Sequence, residues 1–175
     1  MNSNHIIWPV LAQVLLTLTM FIVLGARKAR AVKAGEVNRK EAALNNRVWP
    51  EDVVKVSNNI ANQFEVPVLF YVLCLLLYSI NAVGIVAIVL AWLFALSRFA
   101  HAYVHIGSNY VSTRLRLFML GCFVLIAMLT LAVWQLASIA LGGITSDDIR
   151  SYNDFTNTYL LLRSYFCNRY SSFGS

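Results

Sequence analysis

Three long stretches of the chain carry no Asp, Glu, Lys or Arg, and they set its architecture. From Ile6 to Gly25 the only strongly polar side chains are Gln13, Thr17 and Thr19. A bilayer core of about 30 Å takes roughly 20 residues of helix, so this run predicts one membrane span. The run from Val66 to Ser97 is too long for one span and suits two, joined at Ser79-Ile80-Asn81-Ala82-Val83-Gly84, where Asn and Gly form turns. Leu117 to Leu141 gives a fourth span, with Gly142-Gly143 read as its C-terminal stop. The expected fold is all-α: a four-helix transmembrane bundle with spans at about 6–25, 64–80, 85–105 and 115–141. Residues 1–143 form the membrane domain and 144–175 a polar and aromatic tail, in which Tyr159 to Phe166 suits a short interfacial helix. No internal repeat is visible.

Between the first two spans, Gly35 to Glu51 reads as a polar loop containing Asn45-Asn46. Pro50 followed by Glu51 and Asp52 suits a helix N-terminus, because proline tolerates the first turn and acids oppose the positive end of the helix dipole. The second helix therefore starts near Asp52 and enters the membrane near Glu65, with Pro67 kinking it just inside.

Composition agrees with lipid rather than water as the solvent. Hydrophobic residues make up 59% of the chain and charged residues 13%, with mean hydropathy +0.64. Soluble domains carry about 25% charged residues. The net charge of +6 is accounted for by topology. Arg27, Lys28, Arg30, Lys33, Arg39, Lys40, Arg47 and Lys55 lie between spans one and two, and Arg98, Arg114 and Arg116 flank the connection of spans three and four. The positive-inside rule puts both connections in the cytoplasm and both termini on the other side. No nucleic-acid partner is needed to explain the charge. A cleaved signal peptide is rejected, since no basic residue precedes the first span. Cys74 and Cys122 lie inside apolar runs with no basic residue close in sequence and read as inert packing.

Polar residues on spanning helices are costly, so their spacing carries functional information. Asn58, Asn62 and Glu65 stand four and three apart and share one helix face. Arg98, His101 and His105, three and four apart, share another, with Asn109 one turn on and Arg114 at the start of the last span. Both faces fall at the cytoplasmic end, so one pocket can use both. Other readings exist: Glu65 as a wetted interfacial acid paired with Arg98 or Arg114, Arg98 and Arg116 as snorkelling anchors, or Glu65, His101 and His105 as a proton path. His101 and His105 have no third ligand nearby, which disfavours zinc.

The segment Asn62-Gln63-Phe64-Glu65-Val66-Pro67-Val68-Leu69-Phe70-Tyr71, together with Arg98-Phe99-Ala100-His101, resembles the MAPEG family, the membrane-associated proteins in eicosanoid and glutathione metabolism, and in particular its bacterial branch. The likeness spans roughly residues 5–140 and leaves the tail outside. It implies a homotrimer, an inner-membrane location, and glutathione held as cosubstrate between neighbouring subunits near the cytoplasmic face. By that resemblance Asn62 and Glu65 would hold glutathione, Arg98 and His101 match the Arg-x-x-His positions, and Arg114 stands where eicosanoid-forming members activate the thiol. A lipid-dissolved electrophile or peroxide would be the second substrate. The chain departs from the family enzymes at Asn58 and Ala61, where they carry arginines, and at His105 and Phe118, where tyrosines are found. A catalytically silent relative binding another thiol, a lipid or a protein partner is the alternative.

Overall fold

The computed structural model describes residues 3–43, 45 and 48–171. Its helices are α1 (Ile7–Lys33), α2 (Arg39–Ala42), α3 (Glu51–Gln63), α4 (Val66–Ser79), α5 (Ile85–Ile106) and α6 (Val111–Ser171), preceded by one 3₁₀ turn, Ser3–Ile6. Four stretches are long and apolar enough to cross a membrane: Ser3–Lys33, Glu51–Ser79, Ile85–Ile106 and Val111–Gly142. Asn46 and Arg47 of the polar loop lie outside the described residues. Residues 1–133 and 134–175 form two compact units.

Hydroxyls inside the spans are neutralised locally, as lipid requires. Thr17 Oγ1 donates to Gln13 O at 3.1 Å, Thr19 Oγ1 to Leu15 O at 2.8 Å, Ser97 Oγ to Phe94 O at 2.7 Å and Thr130 Oγ1 to Ile126 O at 2.9 Å. Helix α1 runs past Gly25 and carries Arg27, Lys28, Arg30 and Lys33 on its last turns. It ends where Gly35 takes φ +73° and the Glu36 amide bonds Ala31 O at 3.1 Å. Arg27 then ties three elements together, donating to Asp52 O at 2.7 Å and to Ile106 O at 3.2 Å. The basic end of α1, the start of α3 and the end of α5 therefore lie at one end of the bundle.

The second span is broken, as Pro67 requires. Proline lacks an amide hydrogen and its ring clashes with the carbonyl four residues back, here Gln63, the last residue of α3. Phe64 and Glu65 form the bend, and Pro67 sits in the first turn of α4. The turn after α4 is the one the sequence anticipates: Asn81 adopts φ 54° and the Ala82 amide reaches Leu77 O at 2.9 Å.

Two sequence expectations fail. Gly142-Gly143 does not stop the last helix, whose backbone continues to Ser171 through Tyr159 to Phe166. Glycine costs a helix only about 1 kcal/mol per residue relative to alanine, and no proline follows to enforce a break. Asn109 is not on the α5 face either. The helix ends at Ile106, and Asn109 takes the left-handed conformation, φ 52°, in the turn into α6.

The first unit packs on small residues. Ala87, Ala91, Ala95 and Ala102 of α5 are buried, letting its backbone come close to its neighbours. One apolar cluster joins Phe70, Leu73 and Leu77 of α4 to Phe94 of α5 and Val124, Leu125 and Met128 of α6. Within it the Phe70 and Phe94 rings stack at 4.5 Å. A second cluster joins Leu16 and Met20 of α1 to Val56 and Ile60 of α3 and Ala102 of α5.

Candidate functional site

Three of the polar positions read from the sequence meet at one cleft. Asn62 of α3, His101 of α5 and Arg114 of α6, with Val111, Leu115 and Phe118, line a space of about 200 Å³. The short turn at Asn109 makes this possible, folding the start of α6 back beside the end of α5. Arg114 is held by that turn: its Nη1 donates to Asn109 Oδ1 at 2.7 Å, and its backbone carbonyl lies 3.2 Å from His101 Nδ1. A carbonyl can only accept, so Nδ1 carries the proton in that bond. His101 Nε2 is left buried without a partner.

Directly behind the cleft lies a second, drier layer. Arg98 is wholly buried, and Nε, Nη1 and Nη2 all lack hydrogen-bond partners. Its guanidinium stands 5.8 Å from the centre of the Phe118 ring. His105 is also buried, with its ring 5.6 Å from that of His101 and Nδ1 unpartnered. Gly121 of α6 packs beside Arg98, where a Cβ would stand 3.8 Å from Arg98 Cδ, an ordinary contact distance. A guanidinium cannot shed its proton, so its charge persists here without a bonded partner.

The remaining sequence-derived residues are distributed differently. Glu65 sits at the α3–α4 bend and is exposed. Asn58 lines a separate cavity of about 140 Å³ with Lys28, Trp49, Val53, Val54 and Ser57, where the Lys28 ammonium lies 4.7 Å above the Trp49 ring. Arg116 faces outward, as an anchor would. Among the described residues no three His, Cys, Asp or Glu side chains come together as a metal site.

Sequence reasoning missed a buried amide chain beside the cleft. Gln13 of α1 donates to Gln63 Oε1 at 2.7 Å, and Gln63 Nε2 donates to Asn59 Oδ1 at 3.3 Å. All three side chains are buried. Gln63 neighbours Asn62, so the chain pins the end of α3 to α1 with Asn62 turned toward the cleft. The only signal in the sequence was Gln13, an amide in the middle of an apolar run.

Among known families, the model described as the MAPEG family matches residues 5–134, well over half of the chain. No curated protein and no solved structure matches significantly.

Proposed function

The chain belongs to the MAPEG family, and from that premise we propose that it binds glutathione at the Asn62–His101–Arg114 cleft and transfers it to lipid-dissolved electrophiles, or uses it to reduce lipid-dissolved peroxides. The observation that carries this reading is the buried, unpartnered guanidinium of Arg98 one layer behind a cleft that already holds a second arginine.

Glutathione carries two carboxylates, an ammonium and a thiol, so its site needs cations, an acid and positive potential at the sulfur. Arg98, buried behind the cleft, adds positive charge that favours an anionic ligand there, and the exposed Glu65 accepts from the ammonium. His101 Nε2 and Asn62 are free to meet peptide amides. Arg114, oriented by Asn109, faces the thiol. A free thiol with pKa near 8.5 is a few per cent ionised at neutral pH, and lowering that value by about 2 units takes roughly 2.7 kcal/mol. One cation at about 4 Å in a partly dry site supplies that much. The thiol proton leaves to solvent. The sulfur then displaces a leaving group from an electrophilic carbon, or attacks the peroxide oxygen. In the second case the O–O bond breaks to release the alcohol and a glutathione sulfenic acid, which a second glutathione converts to disulfide and water. No general base on the protein is required.

Small-molecule sites usually measure about 300–1,000 Å³, and this cleft holds about 200 Å³. A tripeptide thus needs a further wall, which a neighbouring chain in a homotrimer would provide. Arg27 links the basic end of α1 to the start of α3 and the end of α5, which under the positive-inside rule supports a cleft in the inner-leaflet half and both termini on the other side; the membrane proposed is a bacterial inner membrane.

A catalytically silent relative is favoured by one observation. Phe118 presents an apolar ring to Arg98 and His101 where the family enzymes offer a hydroxyl. Turnover of glutathione with a chlorodinitrobenzene-type electrophile separates the two readings. Activity that falls about a hundredfold in Arg114→Ala supports catalysis; no activity in the native protein, with glutathione still bound, supports the silent relative.

A further inference from the structure

A cavity of about 420 Å³, sharing no residue with the thiol cleft, lies where the end of α1 meets the start of α3. Arg27 and Arg30 of α1, Glu36 of the turn that follows it, and Glu51, Asp52 and Lys55 of α3 line it. Its walls are fixed without a ligand. Arg27 bonds Asp52 O and Ile106 O, the Glu36 amide bonds Ala31 O at 3.1 Å, and Ala31, Val37 and Val53 join α1, its turn and α3 in one buried cluster. Lys55 and Glu51 pair at 2.7 Å, but among the described residues Arg30, Glu36 and the Asp52 carboxylate make no ion pair. The depth of the cavity follows from α1. Its uncharged run ends at Gly25, so Arg27 and Arg30 stand about 3 and 8 Å further along a helix rising about 1.5 Å per residue. A headgroup layer is roughly 5–8 Å thick on each side of the hydrocarbon. Trp49, next to Pro50 of the cavity wall, has the Lys28 ammonium 4.7 Å from its ring, and such aromatic and basic residues mark the membrane interface.

We propose that this cavity binds the headgroup of a phospholipid carrying both a phosphodiester and a primary ammonium, the phosphatidylethanolamine class. Arg30 and Lys55 take the phosphate oxygens, the arginine by its fork and the lysine as a point charge. Glu36 and Asp52 accept from the ammonium. Arg27, with both terminal nitrogens committed to carbonyls, holds the walls and adds charge. The balance of charge selects among lipids at this depth. Three cations and three carboxylates leave the cavity neutral, which matches a zwitterion. An anionic headgroup such as phosphatidylglycerol gains from the cations and loses as much to the acids. A choline headgroup brings the same phosphate but a quaternary nitrogen without N–H, so the carboxylates lose their charge-assisted bonds. The site is independent of the glutathione reading.

The test is native mass spectrometry of the delipidated full chain in detergent, titrated in turn with dioleoyl phosphatidylethanolamine, phosphatidylcholine and phosphatidylglycerol. Glycerophosphoethanolamine is the soluble source of the same headgroup. The ethanolamine lipid is expected to bind about tenfold more tightly than the other two, and Arg30→Gln to weaken it about tenfold. Glu36→Gln weakens it as well, yet strengthens phosphatidylglycerol binding, because with one carboxylate fewer the cavity turns cationic. These opposite signs separate the site from general attraction of lipid to a basic surface. Both residues are exposed, so neither variant disturbs the core. Phosphatidylethanolamine held no more tightly than phosphatidylcholine, phosphatidylglycerol favoured by the native chain, or an ethanolamine-lipid affinity unchanged in either variant overturns the proposal. Glycerophosphoethanolamine binding as tightly as the lipid overturns the membrane as its source.

Discussion

Replacing Gln13 by leucine probes the buried amide chain, and the outcome depends on what stands at position 63. In the native chain Gln13 makes one bond, 2.7 Å to Gln63 Oε1, while its own Oε1 is already buried without a partner. Gln13→Leu thus removes one hydrogen bond and one orphaned oxygen, and creates one orphan at Gln63 Oε1. The number of unsatisfied groups stays constant, so the cost is that of a bond inside a membrane bundle, about 0.6 kcal/mol on average. Gln63→Leu is worse. It breaks both bonds and strands Gln13 Nε2 and Asn59 Oδ1, each buried. At about 1–3 kcal/mol per stranded group, the loss is roughly 2–6 kcal/mol. In that background Gln13 has no partner at all, and Gln13→Leu then stabilises, by about 1 kcal/mol or more. Leucine is close to glutamine in volume, so cavity effects stay small. Unfolding of the four proteins in detergent, followed by circular dichroism against temperature or added SDS, measures the cycle. Equal destabilisation by Gln13→Leu in both backgrounds would refute the idea that the three amides act as one chain.

Two other substitutions check the packing around the site. Gly121→Ala is expected to stabilise by about 0.5–1 kcal/mol through helix propensity, since the new Cβ meets Ser97 Oγ at 3.4 Å and Phe94 at 3.6 Å, ordinary contact distances; a lowered melting temperature would show that α5 and α6 lie closer than described. Arg27→Ala should cost about 1–2 kcal/mol after allowance for its partial exposure, because it unties Asp52 O and Ile106 O together. Arg27→Lys, lacking the fork, should recover only part of that in the same melting assay.

How much of this was legible depends on what enforces each feature. The spans were readable because lipid demands long uncharged runs, and α5 (Ile85–Ile106) falls almost where the sequence placed it. The break before Pro67 and the turn at Asn81 were readable because a missing amide hydrogen and a left-handed asparagine act locally. Gly142-Gly143 was misread because glycine weakens a helix without ending it. Within the site, helical periodicity alone put Arg98, His101 and His105 on one face. The separation of Asn58 from Asn62 into different cavities was not readable, since it depends on where α1 and the Trp49 segment pack. Nor was the Gln13–Gln63–Asn59 chain, which requires the register between helices that no local pattern encodes.

The central claim, that the arginine-bearing crevice accepts a thiol tripeptide, is tested most directly by calorimetric titration of the purified protein with glutathione. Saturable binding at about millimolar concentration or below, weakened about tenfold or more in Arg98→Gln, is the result this account predicts. Absence of any binding heat through several millimolar, in protein whose fold is intact by circular dichroism, would contradict it.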